Sequence, residues 1–219
     1  MLLTNLRQAL LRLLHAPLFT VIAILTLTLG IGATTATLLQ ASGDDIIMLD
    51  QRPSDLPGEY IPCDLGRQES VEQAVAALVG PIDGLANIAG LPGTHPPERI
   101  LAVNFLGTRA LTLGLAGKLR EEASIVLVSS IAAHRCSWTD ERLQALLDAP
   151  SWSHTLAEAL QVPMNGGEAY ELSKRLLNFW LPVATATFAP VDFVTEVRIA
   201  AGHQRPAPRP TACSPERPE

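Results

Sequence analysis

A chain of 219 residues is long enough to bury one sizeable core, and it is read as a single domain. Its 16 basic and 22 acidic residues give a formal charge of −6 with no basic run, which argues against a nucleic-acid partner. The cysteines Cys63, Cys136 and Cys213 and the five histidines are scattered, so neither a disulfide framework nor a metal site is expected.

Residues 1–15 are leucine-rich with Arg7 and Arg12 and predict an amphipathic helix. No Asp, Glu, Lys or Arg occurs from Leu13 to Gly43. That run supports two readings. Residues 16–39 are long enough for a membrane span, which needs ~20 apolar residues. The same stretch also reads as a buried strand over 19–25, a glycine turn at Gly30-Ile31-Gly32 and a helix as far as Leu39.

From Asp44 the pattern is regular. An apolar strand over 46–49 ends at Asp50, and a brief extended piece covers 60–63. Residues 70–79 have helical spacing, with Ser70 and Glu72 taken as a capping box. A buried strand over 82–86 leaves through Asn87-Ile88-Ala89-Gly90. Pro96-Pro97 opens a long helix over 96–119, with Asn104 inside it. The apolar strand 124–128 is followed by Ser130, just past the end where open α/β sheets place ligand sites.

Residues 134–162 predict an inserted helical segment. Its Trp138 and Trp152 suit a cover over a ring-bearing substrate, and plain packing explains them equally well. A helix over 170–180 turns Leu172, Leu176, Leu177 and Trp180 inward. Residues 191–199 form one more strand, and from Ala200 onward the Pro-, Arg- and Ala-rich sequence predicts disorder.

The chemistry centres on Tyr170 and Lys174, which share a helix face at i and i+4. An ammonium beside a phenol favours the phenolate and brings its pKa from ~10 towards the working range. A hydroxyl such as Ser130 could hold a substrate oxygen against that phenol. Alone, such a pair is usually a surface contact. In this chain it follows Gly30, Gly32, Asp50, Asp64-Leu65, Asn87, Ala89, Gly90, Asn104 and Ser130 in order.

That ordered set resembles the short-chain dehydrogenase/reductase family over about residues 30–190. The branch it looks most like contains 3α-hydroxysteroid dehydrogenase/carbonyl reductase and coniferyl-alcohol dehydrogenase. The features that suggest this branch are Ile-Ala-Gly-Leu-Pro-Gly-Thr at 88–94 and the long gap between Ser130 and Tyr170. The resemblance implies an α/β fold, a Rossmann-like doubly wound parallel sheet with helices on both faces, here incomplete at its C-terminal edge. It also implies NAD(P)-dependent interconversion of an alcohol with a ketone or aldehyde.

In that scheme Tyr170 moves the proton, Lys174 lowers its pKa and holds the ribose, and Ser130 polarises the substrate oxygen. Asn104 anchors a relaying water. Gly30 and Gly32 belong to the phosphate loop, and Asp50 favours NAD, with NADP left open by Arg52. Asp64 and Leu65 meet the adenine, and Asn87, Ala89 and Gly90 run beside the cofactor. The family pattern is broken at Leu25 and Thr26, where a Thr and a Gly would stand.

Residues 1–36 resemble a different family. Leu6-Arg-Gln-Ala-Leu10, His15-Ala-Pro-Leu-Phe-Thr20 and Leu27-Thr-Leu-Gly-Ile-Gly-Ala-Thr-Thr-Ala36 look like the amino terminus of a macrolide-exporter-type ABC-transporter permease. The alternatives to an enzyme are therefore a membrane-inserted permease-like fragment and a non-catalytic Rossmann remnant. A cytoplasmic protein with a small-molecule partner is expected, with self-association and membrane contact through 16–39 left open.

Overall fold

A computed structural model of the chain describes residues 20–24, 31–53, 55–56, 58–187 and 192–198. Six strands form one sheet: β1 (Thr20–Ile24), β2 (Asp45–Asp50), β3 (Glu59–Pro62), β4 (Ile82–Asn87), β5 (Leu119–Ser130) and β6 (Asp192–Arg198). Their order is β3-β2-β1-β4-β5-β6, and every neighbouring pair is parallel. Parallel strands covered on both faces need continuous apolar runs rather than alternation. Ile46-Ile47-Met48-Leu49 is such a run; β4 is buried throughout although it contains Asp83, which pairs with Arg120 at 3.0 Å.

The chain winds outward from β1 through β2 to β3, then returns to lay β4 on the other side of β1. That reversal makes a crevice at the carboxyl ends of the central strands, where such sheets bind ligands. Register brings Leu49 level with Ile24, and Ile24 level with Asn87, so β2 and β4 end beside one another across β1. Between β4 and β5 the register slips from Ile82↔Leu119 to Gly84↔Ser124. The observed β5 thus begins five residues before the predicted 124–128, and its extra residues bulge at the amino end.

The charge-free run is used as β1 and then α1 (Ile31–Ala41). Its described residues adopt the strand-plus-helix arrangement and not one continuous helix. Helix α2 (Gln68–Ala77) starts earlier than the predicted 70–79. Ser70 and Glu72 are too close in sequence for a capping box. Ser70 instead sits inside the helix, and its hydroxyl accepts a bond of 2.9 Å from the Asp64 amide.

The long helix predicted over 96–119 is one helical run, Pro97–Lys118, mostly buried as a core helix. It contains α3 (Pro97–Leu101), a π-helical segment (Ala102–Gly107) and α4 (Thr108–Leu115). Short wide turns of this kind mark sites where a helix is re-aimed. Here the turn contains Asn104. All six of its residues are buried.

The insertion after β5 is helical as predicted, with α5 (Asp140–Asp148) and α6 (Trp152–Leu160). Leu143, Leu146, Leu147 and Ala159 join the main core with Ile100, Leu172 and Leu176. Trp138 and Trp152 are partly buried against that core, and the Arg142 guanidinium lies 4.0 Å from the Trp138 ring centroid. The packing account of the two tryptophans therefore has direct contacts behind it. Arg175 ties the insertion to the following helix by an ion pair of 2.7 Å to Asp140.

That helix, α7 (Gly166–Thr187), buries Leu172, Leu176, Leu177 and Trp180 as expected. The predicted strand over 191–199 appears as β6. The predicted amphipathic helix over 1–15, the residues Leu25, Thr26 and Gly30, and the predicted disordered tail from 200 lie outside the described residues.

Candidate active site

Helix α7 presents the reactive pair, and its first turn is fixed from two sides. Asn165 and Glu168 cap it reciprocally: the Asn165 amide donates to Glu168 Oε2 at 2.8 Å, and the Glu168 amide donates to Asn165 Oδ1 at 3.0 Å. The loop after β4 also presses on it. A Cβ on Gly93 would lie 3.0 Å from Gly167 Cα, and one on Gly166 would collide with the Gly93 and His95 carbonyls. Only glycine allows the two backbones to meet there.

One helical turn on, Tyr170 and Lys174 share a face. Lys174 is 4% exposed, and its Nζ donates to the Val128 carbonyl at 2.8 Å, two residues before Ser130. The same ammonium lies 5.7 Å from the Tyr170 ring centroid. Burial pulls the amine down to about 8 from its ordinary value. Tyr170 is half-buried and packs against the core, while Lys174 is buried.

Ser130 ends β5 and is buried. Its Oγ accepts a 3.2 Å bond from the Ala132 amide, capping the short 3₁₀ turn Ile131–Arg135. A hydroxyl that accepts there still has its own hydrogen to give.

Asn104 is fully buried. Its Oδ1 accepts from the Leu91 amide at 2.7 Å, and its Nδ2 donates to the Leu91 carbonyl at 3.0 Å and to Ser173 Oγ at 3.2 Å. Both amide hydrogens are therefore bonded within the protein. In this structure the side chain is a clamp between the loop and α7. Gly90 lies where these parts meet: a Cβ there would be 3.5 Å from Asn104 Oδ1 and 3.6 Å from Lys174 Nζ.

The other predicted positions line the sheet's carboxyl edge. Asp50 ends β2, with Oδ1 accepting from the Arg52 amide at 3.1 Å. Its Oδ2 is buried and without a hydrogen-bond partner among the described residues. Burial raises this carboxyl above its ordinary value, opposed by the Arg52 and Gln51 amides and by the Arg52 charge. Asn87 ends β4; its Nδ2 donates to Thr112 Oγ1 at 3.3 Å, and its Oδ1 is likewise unpaired among the described residues.

Asp64 Oδ1 accepts from the Gly66 amide and from Gln51 Nε2, both at 2.8 Å, which draws it towards the end of β2. Leu65 and Ala89 are buried, and Gly32 lies buried in α1. Unpaired buried oxygens on Asp50 and Asn87 are costly unless a donor reaches them. A nucleotide diol or amide offers such donors, so these residues fit a dinucleotide in the crevice.

Two serines that carry no local sequence signal also belong to the site. Ser173 is fully buried and its hydroxyl donates to the Tyr170 carbonyl at 2.8 Å. Ser129 Oγ donates to the Lys174 carbonyl at 3.4 Å. Ser173 stands in the Tyr-x-x-Ser-Lys string, but nothing local shows that a mid-helix serine faces a distant asparagine. Asn165-Gly-Gly-Glu168, by contrast, is a readable helix-start signature.

The profile of the short chain dehydrogenase family matches residues 20–139 of this sequence. The coniferyl-alcohol dehydrogenase of a Pseudomonas species is 33% identical over 155 residues, covering 70% of this chain and 61% of that protein. The 3-alpha-hydroxysteroid dehydrogenase/carbonyl reductase of Comamonas testosteroni is 28% identical over 152 residues, 68% of this chain and 59% of that one. The chain thus spans about three fifths of the length of these curated relatives. Among solved structures, the 3-alpha-hydroxysteroid dehydrogenase of Pseudomonas sp. B-0831, crystallised with NADH, superposes with a TM-score of 0.69. It is 29% identical, and the match covers 82% of this chain and 72% of that one.

Proposed function

The chain belongs to the short chain dehydrogenase family, and on that premise we propose that it interconverts an alcohol with a ketone or aldehyde, using NAD in preference to NADP. The observation that carries the proposal is the buried Lys174 ammonium, held on the Val128 carbonyl and facing the Tyr170 ring at 5.7 Å. A positive charge held beside a phenol favours the phenolate, which is what a phenol needs to work as a base near neutral pH.

A bound nicotinamide supplies the hydride acceptor or donor. The protein's own residues handle the proton. In the oxidative direction Ser130 donates its free hydrogen to the substrate oxygen and orients it. Tyr170, as phenolate, takes the hydroxyl proton while the carbon loses its hydride, so a carbonyl is left. Lys174 stabilises the phenolate, and its remaining hydrogens would hold the ribose of a bound dinucleotide. Asn104 acts through the clamp described above. The unpaired Asp50 oxygen supports a preference for a free 2′-hydroxyl, because a 2′-phosphate would meet a buried carboxylate. Names of the relatives suggest hydrophobic, ring-bearing alcohols as the substrate class.

Tyr170→Phe tests the reading, since it deletes one oxygen and keeps the ring. Turnover of coniferyl alcohol with NAD should fall by about 10²–10⁴-fold with dinucleotide affinity nearly unchanged. Lys174→Ala should lose both. Near-parental turnover in Tyr170→Phe would sink the mechanism. Dinucleotide binding without turnover in the parent would leave a binding remnant.

A further inference from the structure

We infer that Ser173 is a positioning residue that sets the reach of Tyr170 by tying the reactive helix to the loop after β4. The inference rests on the proton-transfer role proposed for Tyr170. Four groups form one hydrogen-bonded chain. Both main-chain groups of Leu91 bond to the Asn104 side chain, Asn104 Nδ2 donates to Ser173 Oγ at 3.2 Å, and Ser173 Oγ donates to the Tyr170 carbonyl at 2.8 Å. The chain joins the loop after β4 and the nearby π-helical segment to α7, which lies far away in sequence.

The hydroxyl of Ser173 is suited to this place because it accepts and donates at once. It is fully buried, so both of its bonds are made inside the protein. Alanine would leave one hydrogen of Asn104 Nδ2 without its acceptor, although the other still meets the Leu91 carbonyl. The Ser173 hydroxyl bonds its own helix three residues back, and that bond ends on the main chain of Tyr170, the residue whose oxygen must meet the substrate. Lys174, the next residue, is fixed separately through Val128 and Ser129. Loss of Ser173 therefore moves the phenol relative to an ammonium that stays in place.

Ser173→Ala is the test, with Ser173→Cys as a variant of closer size and weaker bonds. In hydrogen exchange, the Leu91 amide should exchange about tenfold faster in Ser173→Ala, with the Leu85 amide in β4 unchanged, because only the clamp has been loosened. In an assay with coniferyl alcohol and NAD, kcat should fall about tenfold with dinucleotide KM within about twofold, since small misplacement acts on the chemical step. The pH limb of kcat should move upward, as a phenol less coupled to Lys174 ionises later. Ser173→Cys should fall between alanine and the parent on each measure.

Uniformly faster exchange with an unmoved pH limb would mean plain destabilisation and overturn the inference. Local exchange at Leu91 with unchanged kcat would overturn it as well. A parent without turnover on coniferyl alcohol would defeat the proposed function instead, and exchange at Leu91 would still decide whether the clamp exists.

Discussion

Asp50 sits where burial and hydrogen bonding pull in opposite directions. Burial is the larger influence and raises its carboxyl above the ordinary value. A carboxyl whose folded pKa exceeds its unfolded one stabilises the fold below the unfolded value, and that contribution is lost as pH rises through the folded value. At neutral pH the charged form is thus a cost to the fold, retained at the end of β2 where the proposed function needs a partner for a ribose. Asp50→Asn should raise the urea midpoint at pH 7, and the gain should vanish at acid pH. The same variant should narrow the preference for NAD over NADP, measured as a ratio of dissociation constants. A lower urea midpoint at pH 7 would show that the carboxylate is satisfied in solution. Lys174 has the mirrored behaviour. Its amine is held at about 8 by burial, so its penalty is present below that pH and relieved as pH rises towards the ordinary lysine value.

Among the elements, α7 depends most on its first turn. The reciprocal cap of Asn165 and Glu168 satisfies two amides that a helix start leaves free. Asn165→Ala should cost about 1 kcal/mol, as lost caps do. Gly166→Ala should cost more, because its Cβ would meet the Gly93 and His95 carbonyls, which are backbone and cannot swing away. Thermal melts of both variants check the order. If Gly166→Ala melted at or above Asn165→Ala, the loop and α7 would not be in the contact described. The π-helical segment belongs to this scale too. It lies in a stretch whose apolar spacing reads as an ordinary helix, and its wide turn is where Asn104 meets both the loop and Ser173.

At the scale of the molecule, the insertion between β5 and α7 belongs to the same core as the sheet's helices. Leu146 is 1% exposed within that core. Leu146→Ala should destabilise the whole domain by about 2–5 kcal/mol, in one cooperative denaturant transition. A separate early transition of the insertion, with the rest of the melt unmoved, would show it to be an independent cover. The Arg175–Asp140 ion pair at its margin is solvent-accessible and adds little by comparison.

Features with a short physical reach are legible in the amino-acid sequence alone. The runs at 46–49 and 82–86 read as covered strands and are such strands in the sheet, and the i, i+4 spacing puts Tyr170 and Lys174 on one helix face. The order of glycines, acids and amides pointed to the family. What needed tertiary structure were partners brought together from distant parts of the chain. Asn104 finds Leu91 and Ser173, Lys174 finds Val128, and Gly93 finds Gly166. The choice between membrane span and strand for the charge-free run was of the same kind. Apolarity is common to both, and β1 is identified by the neighbours that bond to its edges, β2 and β4. Trp138 and Trp152 follow the same rule: an aromatic side chain suits a core and a substrate cover equally, and only the packing around it tells them apart.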